Sequence, residues 1–442
     1  MLVISYLFLT ALVAIAVFLH FKVAPNELSI VNPAFLKFQR SYFNVYFLAL
    51  FAEWLQSPYL YRIYSHYGYL DTQIAIIYVC GFISSILFGT ASGYLADKCG
   101  RRKACTFFCV LYSVCCLTKA SSNYGILILG RILGGVSTSI LFSTFEAWYV
   151  YEHTQTHDFP NEWIPITFSK ASFFNGIIAI TAGVVANTLT EWMNFAPVAP
   201  FLLAIPFLIT AGGFIQTSWE ENYGAKSMKM VKPCLDSFRL IINNSNILLI
   251  GAVTSLFESV MYIFVFLWTP VLDPAQPPLG IVFACFMACV MIGGLLFEAA
   301  ILRKISPINI VVIAILMGLT ANVTSSFASA NHPQKTFMAF LLLELACGLY
   351  FPAMSWVRQR IIPEAHHAGI MNWFRVPLNV IASVVLLVLH DTHSSEGITA
   401  IFGLCSTLMV VAGLCSIKLL VSLKDCEELS MEDESPSEEN VA

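Results

Sequence analysis

Charge is what this 442-residue sequence has least of: 11% of its residues are Asp, Glu, Lys or Arg, against about 25% in soluble globular chains. So few charges cannot cover the two or three soluble domains that the length alone would suggest. A soluble enzyme and a disordered scaffold are excluded. A basic surplus is also missing. The formal net charge is −4, which excludes a nucleic-acid binder with its basic footprint. Paired cysteine spacings are missing as well: the thirteen cysteines fall in apolar runs or beside basic loops. They read as small apolar residues, not as a disulfide framework or a zinc site. No Gly-rich phosphate loop, nucleophile elbow or metalloprotease helix is present, so the chain reads as a non-enzyme without cofactor or metal. What it does have is apolar: 58% hydrophobic and 14% aromatic residues. The lipid bilayer is the solvent that suits them.

A membrane span needs about 20 mostly apolar residues. Such runs cover residues 2–21, 43–62, 74–96, 104–121, 124–148, 166–190, 197–217, 247–268, 279–301, 307–328, 337–357, 367–390 and 397–422. With the first set aside, twelve spans divide six and six around the basic segment 218–246. The expected organisation is therefore an N-terminal anchor helix and linker (1–42), a six-helix half (43–217), a cytoplasmic linker (218–246), a second six-helix half (247–423) and a disordered acidic tail (424–442). Basic residues such as Lys37, Arg40, Arg101, Arg102, Lys103, Arg303, Lys304, Arg358 and Arg360 fall on alternate connections. The opposite set holds Arg62, Lys119 and Lys335. Lys/Arg enrichment marks the cytoplasmic side, so residue 1 is expected outside, the tail inside, and the first run a retained anchor.

Between the second and third of the twelve spans stands GYLADKCGRRK at 93–103. It resembles the loop signature of the major facilitator superfamily. Gly93 is expected to allow close helix contact and Asp97 to end the helix and pair with a basic residue or a neighbouring helix terminus. Gly100 permits a tight turn, and Arg101 and Arg102 hold the loop inside. GRILGG at 130–135 is similar to the superfamily's second signature, an intramembrane arginine followed by glycine. Several further stretches are similar to the molybdate-anion transporter branch of that superfamily: FEAWY at 145–149, DFPNEWIP at 158–165, WTPVLDP at 268–274, ELACGLYFP at 344–352 and NWFRVPL at 372–378. The resemblance implies an all-α fold of two six-helix halves that rock about a central site, and uptake of molybdate, a small inorganic anion, across the plasma membrane. A monomer is expected.

Charges inside a span are costly and face the bundle interior or a wet cavity. The first of the twelve spans carries Glu53, the fourth Arg131 and Glu146, the seventh Glu258 and the tenth Glu344. In the superfamily fold those four helices line the central cavity. Arg131 and Glu146 are separated by about 22 Å along one helix and about 60° around it, so both can face the cavity at different depths. Arg131 is the expected ligand of a tetrahedral dianion, because its planar fork offers two parallel donors. Thr138 and Ser139 are neutral donors beside it, with Tyr262 and Tyr350 as cavity aromatics. The alternative role for Arg131 is to pair with Glu53 and hold the first half together. A dianion avoids carboxylates, so Glu53 or Glu258 is expected to take up a proton as the anion enters, with Glu146 and Glu344 as further candidates. Two other readings stay open: an organic-cation cargo drawn by the four acids, and a non-transporting sensor or scaffold.

Overall fold

The computed structural model of the chain describes residues 2–23, 32–224, 231–328, 332–363, 366–388 and 395–433. Residues 24–31, 225–230 and 434–442, which belong to the expected linkers and tail, lie outside them. In chain order the helices are α1 (Leu2–Val23), α2 (Pro33–Gln56), α3 (Leu60–His66), α4 (Asp71–Cys99), α5 (Arg101–Thr118), α6 (Tyr124–Leu141), α7 (Thr144–Tyr151) and α8 (Ile164–Asn187). They continue with α9 (Ala199–Ser218), α10 (Val231–Asn243), α11 (Ser245–Leu272), α12 (Leu279–Leu302), α13 (Pro307–Ala328), α14 (Pro333–Ile361), α15 (His367–Val388) and α16 (Ser395–Asp433). Every apolar run coincides with one helix or with two in series: 43–62 becomes α2 and α3, and 124–148 becomes α6 and α7.

Among the described residues, eleven helical stretches are long and apolar enough to cross a bilayer on their own composition. α2 and α5 are not among them, because Lys37, Arg40 and Glu53 charge the first and Arg101, Arg102 and Lys103 open the second. α2 also starts earlier than the apolar run. Asn32 caps it by accepting from the amides of Ala34 and Phe35 at 3.0 and 3.2 Å, and Pro33 suits the first helical position. Asn244 caps α11 in the same way, at 3.0 and 3.2 Å.

The segments read as linker and tail turn out to be partly helical. The segment 218–246 contains α10, whose Phe238 ring packs 4.7 Å from Trp373 of α15. At the other end α16 continues through Asp433, so the tail expected to be disordered is helical at its start. Lys, Glu and Leu are good helix formers and let the span propagate past its apolar part.

Glycine sets the closest helix approaches. A Cβ on Gly130 would lie 1.9 Å from the Thr118 hydroxyl, and one on Gly135 would lie 2.8 Å from the Gly81 carbonyl. α6 therefore presses on α5 and α4 at positions where no side chain fits. Between the halves, α8 meets α12: a Cβ on Gly280 would lie 2.3 Å from the carbonyl of Gly183. Further contacts across this seam are Tyr61 and Tyr78 against Phe266, with ring centroids 5.5 and 5.2 Å apart, and an Arg62–Asp273 ion pair at 2.7 Å. These contacts close the molecule at the end away from the 93–103 loop. Gly280→Val should force the halves apart there and depopulate this closed arrangement. A cysteine probe at the Asp273 end, labelled from the adjacent side, should react several-fold faster in the variant; an unchanged rate would mean that the seam gives way locally.

α1 is more than a tether. Ala16 packs with Ile292 and Leu295 of α12, and Phe8 meets Phe337 of α14 edge-on at 6.0 Å. Tyr6 accepts from Trp192 and Asn187 at the end of α8 at 3.0 and 3.3 Å, while His20 stacks on Phe173 at 4.2 Å. One helix thus touches both halves.

Candidate functional site

α2, α4, α5, α6 and α11 enclose a cavity of about 200 Å³. Arg131 of α6 is central to it. Its guanidinium lies 4.8 Å from the centre of the Tyr78 ring, and its Nε is buried with no hydrogen-bond partner among the described residues. A Cβ on Gly81 would come within 3.0 Å of Arg131 Cγ and Nε, so the missing side chain is what lets the arginine pass over α4. Glu53 of α2 lines the same cavity and accepts a hydrogen bond from the Tyr112 hydroxyl. Among the described residues Arg131 forms no ion pair, so its pairing with Glu53 is not made in this conformation. Thr138 and Tyr262 also line the cavity; Tyr262 is contributed by the second half and rests on Phe82 with centroids 5.0 Å apart.

The other expected site residues lie elsewhere. Glu258 is bound to Arg358 of α14 at 2.6 Å, and both side chains are largely shielded; the same guanidinium also donates to Thr254 at 2.9 Å. Tyr350 is fully buried and stacks on Phe257 at 3.9 Å. Glu344 is buried in α14, beside Cys289 and Cys347. Glu146 is exposed at the end where the basic loops lie. The expectation that Arg131 and Glu146 share one continuous helix is corrected: the helix breaks at Phe142 and Ser143, between α6 and α7. The cause is local. Ser137, Thr138, Ser139 and Ser143 each donate to a carbonyl four residues back, at 2.8, 3.1, 2.8 and 2.6 Å, and such back-bonding bends helices. It also commits the Thr138 and Ser139 hydroxyl protons, so in this conformation they present acceptors rather than spare donors.

The 93–103 loop forms a knot at one end of the first half. Asp97 pairs with Arg101 at 2.7 Å, and Arg101 also donates to the Ala147 carbonyl at 3.0 Å. The Arg102 amide donates to Glu221 at 2.9 Å and its side chain to the Trp219 carbonyl at 3.2 Å. Gly100 adopts φ +111°, which favours glycine, and a Cβ there would lie 2.6 Å from the Glu221 carboxylate, which would have to swing aside. Gly93 differs from expectation, since a Cβ on it would meet no described residue within 4 Å. Close helix contact is not its reason here.

Sequence reasoning missed one cavity charge. Lys119, grouped with the loop residues, is 1% exposed and lines the cavity with Arg131. The signal was available, because Lys119 falls inside the run 104–121 and so obeys the same rule as the other intramembrane charges.

Most of the chain matches a known architecture. The structure superposes on a solved nucleoside transporter, NupG, with a TM-score of 0.68 over 87% of this chain and 99% of that one at 12% identity. A point mutant of the same transporter superposes with a TM-score of 0.69 over 86% and 99% at 13% identity. Residues 4–345 match the family model described as sugar transporters with 12 transmembrane helices. The chain is 46% identical to the molybdate-anion transporter of Xenopus laevis, covering 99% of each, and 45% identical to that of Takifugu rubripes, covering 92% of each. On this fold and this near full-length identity, the chain belongs to the molybdate-anion transporter family of the major facilitator superfamily.

Proposed function

We propose that this chain is a multi-pass plasma-membrane transporter that brings molybdate into the cell by alternating access, coupled to protons and acting as a monomer. The carrying observation is the cavity's charge among the described residues: Arg131 and Lys119 against one carboxylate, Glu53. That balance supports an oxyanion and disfavours an organic cation, which would need the four intramembrane acids gathered in one place. Arg131, its Nε without a partner, is the residue that grips the anion. Glu53 faces the same space, so an entering dianion and an ionised Glu53 repel each other. Proton uptake by Glu53 relieves that repulsion and ties anion entry to the proton gradient.

The positive-inside rule supports an orientation with the 93–103 loop and α16's end in the cytoplasm and residue 1 outside. In that orientation the Arg62–Asp273 end, where the two halves meet, is extracellular. The halves, at about 43–217 and 247–423, rock around the cavity.

Flux of labelled molybdate into vesicles containing the purified chain, measured at two external pH values, tests the reading. Uptake is expected to rise as external pH falls and to be inhibited by tungstate but not by hydrophobic amines. Inhibition by amines with indifference to tungstate would reverse the assignment of cargo.

A further inference from the structure

Lys119 is a charged side chain kept from water, and among the described residues no acid pairs with it. It terminates α5 and is 1% exposed. Its Nζ donates to the Tyr64 hydroxyl at 2.7 Å, and the Tyr67 hydroxyl donates to its carbonyl at 2.5 Å. Tyr64 is itself fully buried, so the ammonium is held by a buried phenol. Arg131 is in a similar condition, over Tyr78 with its Nε unpartnered, and it too forms no ion pair among the described residues. The Cys115 thiol, which lines the cavity, lies in electrostatic range of both and of Glu53. A buried cation is expensive unless its charge is offset, and here two cations share one cavity with Glu53, which lies in electrostatic range of Arg131. Among the described residues Glu53 is the cavity's one acid, held by the Tyr112 hydroxyl, and once it carries a proton no other described acid of the wall offsets two positive charges. The offsetting charge must then arrive with the cargo.

We propose that Lys119 and Arg131 form one clamp that matches a tetrahedral dianion, charge for charge, and so separates divalent from monovalent oxyanions of the same shape. The two cations divide the work. Arg131 offers a planar fork that fixes the orientation of two oxygens, whereas Lys119 is a compact charge that completes the neutralisation. A monoanion is satisfied by Arg131 alone and leaves Lys119 where it is. A dianion gains from both. This inference rests on the oxyanion reading above and adds to it a criterion of valence.

Tungstate and perrhenate are tetrahedral oxyanions of similar size that differ by one unit of charge, and both can be titrated against the full chain in lipid nanodiscs. The unaltered protein should bind tungstate about tenfold or more tighter than perrhenate. Lys119→Met should weaken tungstate about ten- to a hundredfold, the worth of one charge-assisted contact, while perrhenate changes less than about threefold. Lys119→Arg should keep the preference for tungstate. Equal affinities in the unaltered protein overturn the clamp without recourse to any variant, which covers the case in which Lys119→Met fails to fold. Equal losses of both anions in Lys119→Met, or no loss of tungstate, also overturn it and leave the oxyanion reading standing. Binding of neither anion by the unaltered chain overturns both.

Discussion

Arg131→Lys is expected to lower molybdate uptake at subsaturating substrate about ten- to a hundredfold, and Arg131→Ala to abolish it. A charge-assisted pair of hydrogen bonds contributes about 1.5–3 kcal/mol, and lysine supplies a point charge where arginine supplies a fork. Geometry adds to the loss. The guanidinium reaches its place by crossing Gly81 and lying 4.8 Å from the centre of the Tyr78 ring, and an ammonium gives up the planar stacking that holds it there. Initial rates across a range of molybdate concentrations, normalised to surface abundance, check this. Lysine with unchanged affinity would remove Arg131 from the binding site.

The second large effect separates two acids that look equivalent on paper. Glu53→Gln should leave uptake insensitive to external pH, because its carboxyl shares the cavity with Arg131. Glu258→Gln should behave differently. Its partner Arg358, 2.6 Å away and largely shielded, would lose its counter-charge, and breaking a buried pair costs about 3–5 kcal/mol. The expected result is a lower melting temperature and less protein at the surface, with pH dependence retained in what remains. Uptake assays spanning about two pH units on the acid side of neutrality, together with thermal unfolding, distinguish the two. If pH dependence persists in Glu53→Gln and in Glu258→Gln alike, proton coupling through these acids is wrong.

The comparison of Glu258 with Glu53 also marks how far residues in order can be read. Spans were legible because about twenty apolar residues in a row state their own environment, and α2 began ahead of its run only because Asn32 and Pro33 start the helix among charged residues. The partner of Glu258 was not legible. Arg358 lies 100 residues away and looks, in sequence, like another basic residue of a cytoplasmic connection. The break between α6 and α7 was hidden for another reason: helical periodicity assumes an intact helix, whereas four hydroxyls bonded to their own backbone had already disturbed it. Sequence placed Arg131 and Glu53 in the membrane by their cost there. Which of the other acids face the cavity depended on packing across the chain, as Glu344 among cysteines and Glu146 at the exposed end illustrate.

The leading helix α1 carries a consequence for the transport cycle itself. It is joined to α12 and α14 by apolar packing and to the α8 side by Tyr6, Trp192, Asn187 and a stacked His20. A passenger fastened to two moving bodies must let go of one of them when they turn. In the proposed rocking cycle the few polar and ring contacts toward α8 are the ones expected to break and reform, with α1 travelling with the second body. Shortening the protein at its start would then change how long each face of the carrier stays open, even though the excised residues never meet the cargo.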